Sequence, residues 1–243
     1  MHENDADGEH EEGPADPESG GPFGSSRGAP ERPLLEAFVI LAALYFSAYL
    51  PSDSSAIGGM LSRPTFYIFS MACTLPGALL VLYMMATTDG LAAFGVGRPR
   101  KASFARGALL AVGSFAMISV LGFALDLAGI RNPIWAEKGS ASVALVPLIL
   151  VSSTATGYCE ELCFRAYLLR RLGQARIPTA WAIAASTAVF AGAHGAQGIA
   201  GFVTAAILGL AFALVFDRDR NLHEIAIGHA AYNAIVFIVE LYS

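Results

Sequence analysis

Ionisable side chains are scarce in the long apolar stretches of this 243-residue chain, and those that do occur recur at helical spacing. In YCEELCFR, Glu160 and Glu161 are adjacent and Arg165 follows Glu161 at i,i+4. The acid is on the N-terminal side, the better orientation for a helical ion pair. In FAGAH, Phe190 and His194 share a helix face, and in HAAYN so do His229 and Asn233. A charge at the centre of a membrane helix costs roughly 2.5–3.5 kcal/mol on insertion scales, so such groups are candidates for function. Arg165 compensates Glu161. Glu160 lies about 100° further round the helix and can face another neighbour; a carboxylate with no cation of its own suits a general base. Taken singly, Glu161 and Arg165 read as a structural pair, and each His or Asn as a satisfied polar group between helices. Polar groups on three successive apolar segments are harder to explain as packing and point to one site.

The segments that must position these groups follow from composition. The chain is 55 % hydrophobic and 14 % charged, with a mean hydropathy of +0.54, well above a soluble domain. Apolar runs fall at about 35–50, 65–88, 104–126, 142–169, 178–195, 198–216 and 223–242, most of them near the ~20 residues that a helix needs to cross a bilayer. The expected fold is therefore all-α: a polytopic integral membrane protein of about seven transmembrane helices, six to eight allowed, with the chemistry on the later ones. Pro76, inside the second run, is tolerated where neighbours re-satisfy the freed carbonyl.

Residues 1–33 hold nine Asp or Glu against two Arg, with much Gly, Pro and Ser, and read as a disordered acidic tail. Residues 34–141 would form the N-terminal helices and loops, and residues 142–241 the catalytic core. Beyond the tail the net charge is only +2, so nucleic acid is not expected as a partner. The basic residues gather in three connections: Arg98, Arg100, Lys101 and Arg106; Arg170, Arg171 and Arg176; Arg218 and Arg220. By the positive-inside tendency these face the cytoplasm, which puts the N-terminus inside and implies a multi-pass protein of the plasma (inner) membrane. Anionic headgroups are a second use for the 98–106 cluster.

Several chemistries fail on spacing. A zinc protease helix needs HExxH, whereas HEIAIGH places His223 and His229 six apart, with Ile at 227. Asp126 has no second intramembrane Asp, and no GxSG occurs. Cys73, Cys159 and Cys163 are too few and too embedded in apolar sequence for a disulfide framework.

The three patterns together resemble the CPBP intramembrane proteases, which comprise CAAX proteases and bacteriocin-processing enzymes and are also called the Abi family. That family shows Glu-Glu-x-x-x-Arg, then Phe-x-x-x-His, then His-x-x-x-Asn, here EELCFR, FAGAH and HAAYN in the same order. The resemblance covers about residues 142–241. Ala166 departs from the Gly usual after the Arg, at a position with no assigned chemistry. It implies an endopeptidase acting on a membrane-associated substrate, such as a CAAX-type tail or a leader peptide. In it Glu160 and His194 would activate a water, and His229 and Asn233 would form an oxyanion hole. Glu161, Arg165 and Phe190 would support the geometry. No cofactor is favoured, since Asn233 beside His229 suits a hydrogen-bond donor better than a zinc shell. If zinc is used, Glu160, His194 and His229 would be its ligands. The alternatives are a non-catalytic scaffold or bacteriocin-immunity protein that binds a peptide in the same cavity, and a transporter with a proton relay. One tension stands: counted from the presumed cytoplasmic ends, His229, Glu160 and His194 fall at different depths.

Overall fold

A computed structural model describes residues 31–50, 53–136 and 140–242. Every regular element in them is helical. Ten α-helices run in the order α1 Glu31–Tyr45, α2 Ser54–Met60, α3 Pro64–Thr88, α4 Lys101–Leu127, α5 Pro133–Ala136, α6 Val146–Glu161, α7 Leu168–Gln174, α8 Thr179–Gly192, α9 Gly198–Asp219 and α10 Leu222–Tyr242. A π-helical turn, Leu162–Tyr167, joins α6 to α7 without a break. Of the tail expected over residues 1–33, the first thirty lie outside the described residues; Glu31, Arg32 and Pro33 already belong to α1. Proline is tolerated there because the N–H groups of a first turn have no intrahelical partner.

Among the described residues six helical stretches are long and apolar enough to cross a membrane: Glu31–Tyr49, Pro64–Thr88, Lys101–Leu127, Val143–Gln174, Gly195–Asp219 and Leu222–Tyr242. The seventh apolar run forms α8, which is 14 residues long, only about 21 Å at 1.5 Å per residue. The protein is an all-helical polytopic membrane protein with about seven apolar helices, six of span length and α8 shorter. Its outward faces fit that solvent. α4 exposes Leu109, Val112, Val120, Phe123 and Leu127, a continuous apolar surface that water would penalise and acyl chains do not.

The interior is built where small residues let backbones meet. α10 packs between α4 and α6. An added Cβ on Gly107 would lie 3.0 Å from the Glu224 carbonyl oxygen of α10, and one on Gly157 of α6 only 2.7 Å from the Ala230 backbone nitrogen. These approaches are closer than nearly all side chains make, so glycine at 107 and 157 sets the separation of three helices. Around them Phe164, Tyr167, Phe190, Phe212, Phe216 and Ile225 are fully buried.

The two ends of the bundle differ in chemistry. At one end Arg171 is buried and reaches Glu36 of α1 at 3.2 Å, Thr88 of α3 at 3.3 Å and Gln174 at 2.9 Å. There too Leu222 N–H donates to Gly95 O at 3.1 Å, joining the α3–α4 and α9–α10 connections. Arg170 and Arg171, expected in a loop, are instead helical, because Glu36, Asp89 and Gln174 supply partners that extend the helix to its end at Gln174. At the opposite end, Tyr49 O–H donates to Val189 O, Ser54 O–H to Ala196 O and Tyr242 O–H to Ser142 O.

Candidate active site

The carboxylate pair closes α6, and the wide turn that follows sets its geometry. The N–H of Leu168 donates to Cys163 O, five residues back, as a π-turn requires. Such turns occur mostly as single turns inside α-helices, often at functional sites. Ser186 of α8, fully buried, donates its hydroxyl to Phe164 O at 2.7 Å and so anchors this turn to the neighbouring helix. Arg165 lies within the turn and is wholly inaccessible to solvent. Its Nη1 stands 3.3 Å from Glu161 Oε1, and Nη2 donates to Gly209 O at 3.2 Å. The guanidinium carbon sits 4.2 Å from the centroid of the Phe190 ring, a cation–π contact inside an apolar core. Gly209 makes this possible: a Cβ there would lie 3.0 Å from the Phe190 ring and 3.1 Å from Arg165 Nη2.

His229 enters from α10, one residue before the Gly157–Ala230 contact. Its Nδ1 is 2.7 Å from Glu161 Oε1, and its Nε2 is 3.6 Å from Glu160 Oε2. The imidazole therefore bridges the two carboxylates. The short contact assigns a proton to Nδ1, donated to Glu161, and turns Nε2 toward Glu160. The 3.6 Å separation is longer than a direct hydrogen bond, and Glu160 Oε2 is buried with no hydrogen-bond partner. A pair so spaced leaves Oε2 free to accept from a water beside it.

His194, at the end of α8, uses Nδ1 to bond its own Phe190 carbonyl at 2.9 Å, and its ring lies 4.6 Å from the Phe190 ring. Phe190 also meets His229 edge-on at 5.9 Å. One aromatic ring thus touches Arg165, His194 and His229. Asn233, one turn beyond His229, is half-buried, and its amide makes no side-chain hydrogen bond among the described residues. Direct polar contact thus joins Glu160, Glu161, Arg165 and His229; Phe190 links His194 to them, and Asn233 stands one turn away along α10.

The depth mismatch expected from the sequence has a structural explanation. The helix that carries the carboxylates extends from Val143 to Gln174, 32 residues, or about 48 Å at 1.5 Å per residue. Upright, such a helix is longer than a hydrocarbon core of ~30 Å, so counting residues from its ends does not fix the depth of Glu160.

Three contributors were not evident from sequence. Glu161 holds His229 as well as Arg165. Ser186 was one small residue among many. Tyr45 of α1 lies against Phe164, ring centroids 4.7 Å apart and tilted, so α1 also packs on the π-turn. A buried hydroxyl in an apolar helix is the only signal that could have marked Ser186.

For zinc, Glu160 Oε2 and His229 Nε2 offer two donors, and Glu161 orients the imidazole as a second-sphere carboxylate would. Among the described residues, however, no group of three His, Cys, Asp or Glu is placed to hold one ion. The described geometry therefore does not supply the three protein ligands of a catalytic zinc site.

Residues 142–235 match the family model described as Type II CAAX prenyl endopeptidase Rce1-like. All three motifs fall within the match, which agrees with the resemblance to the CPBP/CAAX proteases. No curated protein and no solved structure matches the chain.

Proposed function

We propose that this chain, with an Rce1-like CAAX endopeptidase domain in its later helices, hydrolyses a peptide bond of a membrane-associated polypeptide through a glutamate-activated water. The observation that carries the reading is the imidazole of His229 between Glu161 and the unpartnered Oε2 of Glu160. A water beside Glu160 loses its proton to Oε2 as its oxygen attacks the scissile carbonyl. His194, with Nδ1 fixed on the Phe190 carbonyl, presents Nε2 as an acceptor that orients the same water.

With a proton on Nε2, His229 is a donor, and with the amide of Asn233 it receives the negative charge that develops on the carbonyl oxygen. The proton held by Glu160 then passes to the leaving amine, which restores the carboxylate. Each step uses side chains alone, so no metal is required.

The N-terminus is assigned to the cytoplasm. Glu36 of α1 meets Arg171 at the end of the bundle that also holds the basic connections, and positive loops stay inside. A prokaryotic plasma membrane is the expected location.

The test compares new peptide termini in membranes from cells that carry the wild type, Glu160→Ala or no copy, at matched expression. Termini found only with the wild type are expected, and they would name the substrate. Unchanged termini, with Glu160→Ala rescuing the null phenotype, would replace catalysis by a peptide-binding scaffold.

A further inference from the structure

The catalytic reading leaves unused a pair of clefts at the basic end of the bundle, about 330 and 390 Å³ in volume, that share Arg170 and Arg220 in their walls. We propose that the larger cleft binds the phosphate of an anionic phospholipid, with Arg170 and Arg220 as its ligands and the apolar wall of Ala92, Ala93, Phe94 and Phe216 receiving the glycerol and upper acyl chain.

Charge and free hydrogen-bonding capacity point the same way. Arg170 Nε is buried with no hydrogen-bond partner; its nearest acid, Asp89, stands 3.6 Å away, too far for a hydrogen bond. Arg220 bonds Asp217 twice, through Nε to the carbonyl and Nη2 to the carboxylate, and Nη1 takes no part. Those bonds aim the side chain from a residue in the left-handed conformation, φ +47°, just past the end of α9. Two guanidinium groups in one cleft match the oxygens of a phosphate diester.

Depth identifies the source. Arg220 is the residue after the candidate span Gly195–Asp219, and Arg170 is in the last turns of the span ending at Gln174. Both therefore lie at the headgroup level, where lipid phosphates are concentrated. The surroundings are basic: across residues 88–106, 168–178 and 217–224 the chain has nine Lys or Arg against four Asp or Glu, which draws anionic rather than zwitterionic lipid. The cleft also abuts the machinery. Its wall includes Ala166, the residue after Arg165 in the π-turn, so a bound lipid braces the turn that holds Glu161 and Arg165.

The test uses the full chain, delipidated in neutral detergent and titrated with dioleoyl phosphatidylglycerol or dioleoyl phosphatidylcholine. Lipid retained per protein is read by native mass spectrometry and the unfolding temperature by fluorescence. The wild type should retain one phosphatidylglycerol with a raised unfolding temperature, and phosphatidylcholine should not displace it. The double variant Arg170→Gln/Arg220→Asn should bind phosphatidylglycerol about tenfold or more weakly, the loss of two charge-assisted contacts. Its unfolding temperature without lipid serves as the folding control. Arg98→Gln/Arg100→Gln, which reduces charge in the exposed loop but leaves the cleft intact, should retain the lipid and also covers a failure of the first variant to fold. Retention by a folded Arg170→Gln/Arg220→Asn protein, loss in the loop variant, or equal binding of the two lipids would overturn the proposal. Competition by soluble glycerol phosphate as effective as the lipid would make the site one for free phosphate esters and overturn the lipid assignment.

Discussion

Adding one methyl group at Gly157 should separate the carboxylates from their histidine without altering either. The Cβ of Gly157→Ala would lie 2.7 Å from the backbone nitrogen of Ala230 and 3.0 Å from its Cα, whereas ordinary contact begins at 3.4 Å. Backbone cannot rotate aside as a side-chain tip can, so α6 and α10 must part by about 0.7 Å. If the retreat lies along the His229–Glu161 contact, a hydrogen bond now 2.7 Å long stretches to about 3.4 Å, beyond the usual 3.2 Å limit. Overpacking of this kind costs about 1–3 kcal/mol, and a misplacement near 1 Å in a catalytic constellation lowers rate by about 10²-fold. Gly122→Ala in α4, whose Cβ would meet nothing within 4 Å, is the matched control and should be neutral or slightly stabilising, by about 0.5–1 kcal/mol. The assay pairs thermal unfolding in detergent with cleavage in reconstituted liposomes of the substrate that the terminus comparison identifies. Wild-type unfolding and turnover in Gly157→Ala would refute the idea that this close approach sets the site.

Four other outcomes follow from individual contacts. Arg165→Met strands Glu161 in the core and should destabilise the fold by about 3–5 kcal/mol, measured as reduced abundance and a lowered unfolding temperature; normal values would remove its structural role. Ser186→Ala leaves the Phe164 carbonyl without its donor and should cost about 1–3 kcal/mol, read from the same unfolding curves. Asn233→Ala should keep wild-type stability and lower kcat by about 10²–10³, the usual loss of one oxyanion donor, and an unchanged kcat would exclude it from the hole. Chelation with EDTA, followed by dialysis, should leave cleavage intact; loss of activity restored by zinc would reverse the metal-free assignment.

The sequence disclosed much of this architecture because a bilayer leaves few choices. Runs without charge had to be helices, and Glu161 with Arg165 could be paired from i,i+4 spacing alone. The partner of Glu161 across the bundle could not. His229 is 68 positions away in sequence, and the contact depends on how closely α6 and α10 approach at Gly157, which no periodicity encodes. The π-turn was equally hidden, since LCFRAY carries no breaker and the turn is bonded by Ser186 and packed by Tyr45, both from other helices. Arg171 shows the same limit: its charge marked a loop by composition, yet Glu36 and Thr88 bury it at the end of a helix. Local spacing named the candidate groups, and long-range packing decided which of them meet.

The most direct measurement of the proposed chemistry is cleavage by purified protein in liposomes, wild type against Glu160→Gln, with equal folding verified by unfolding temperature. The isosteric amide preserves shape and removes the base, so cleavage should fall to background while the fold is retained. Turnover by Glu160→Gln within a few-fold of wild type would contradict a glutamate-activated water and require a different group to generate the nucleophile.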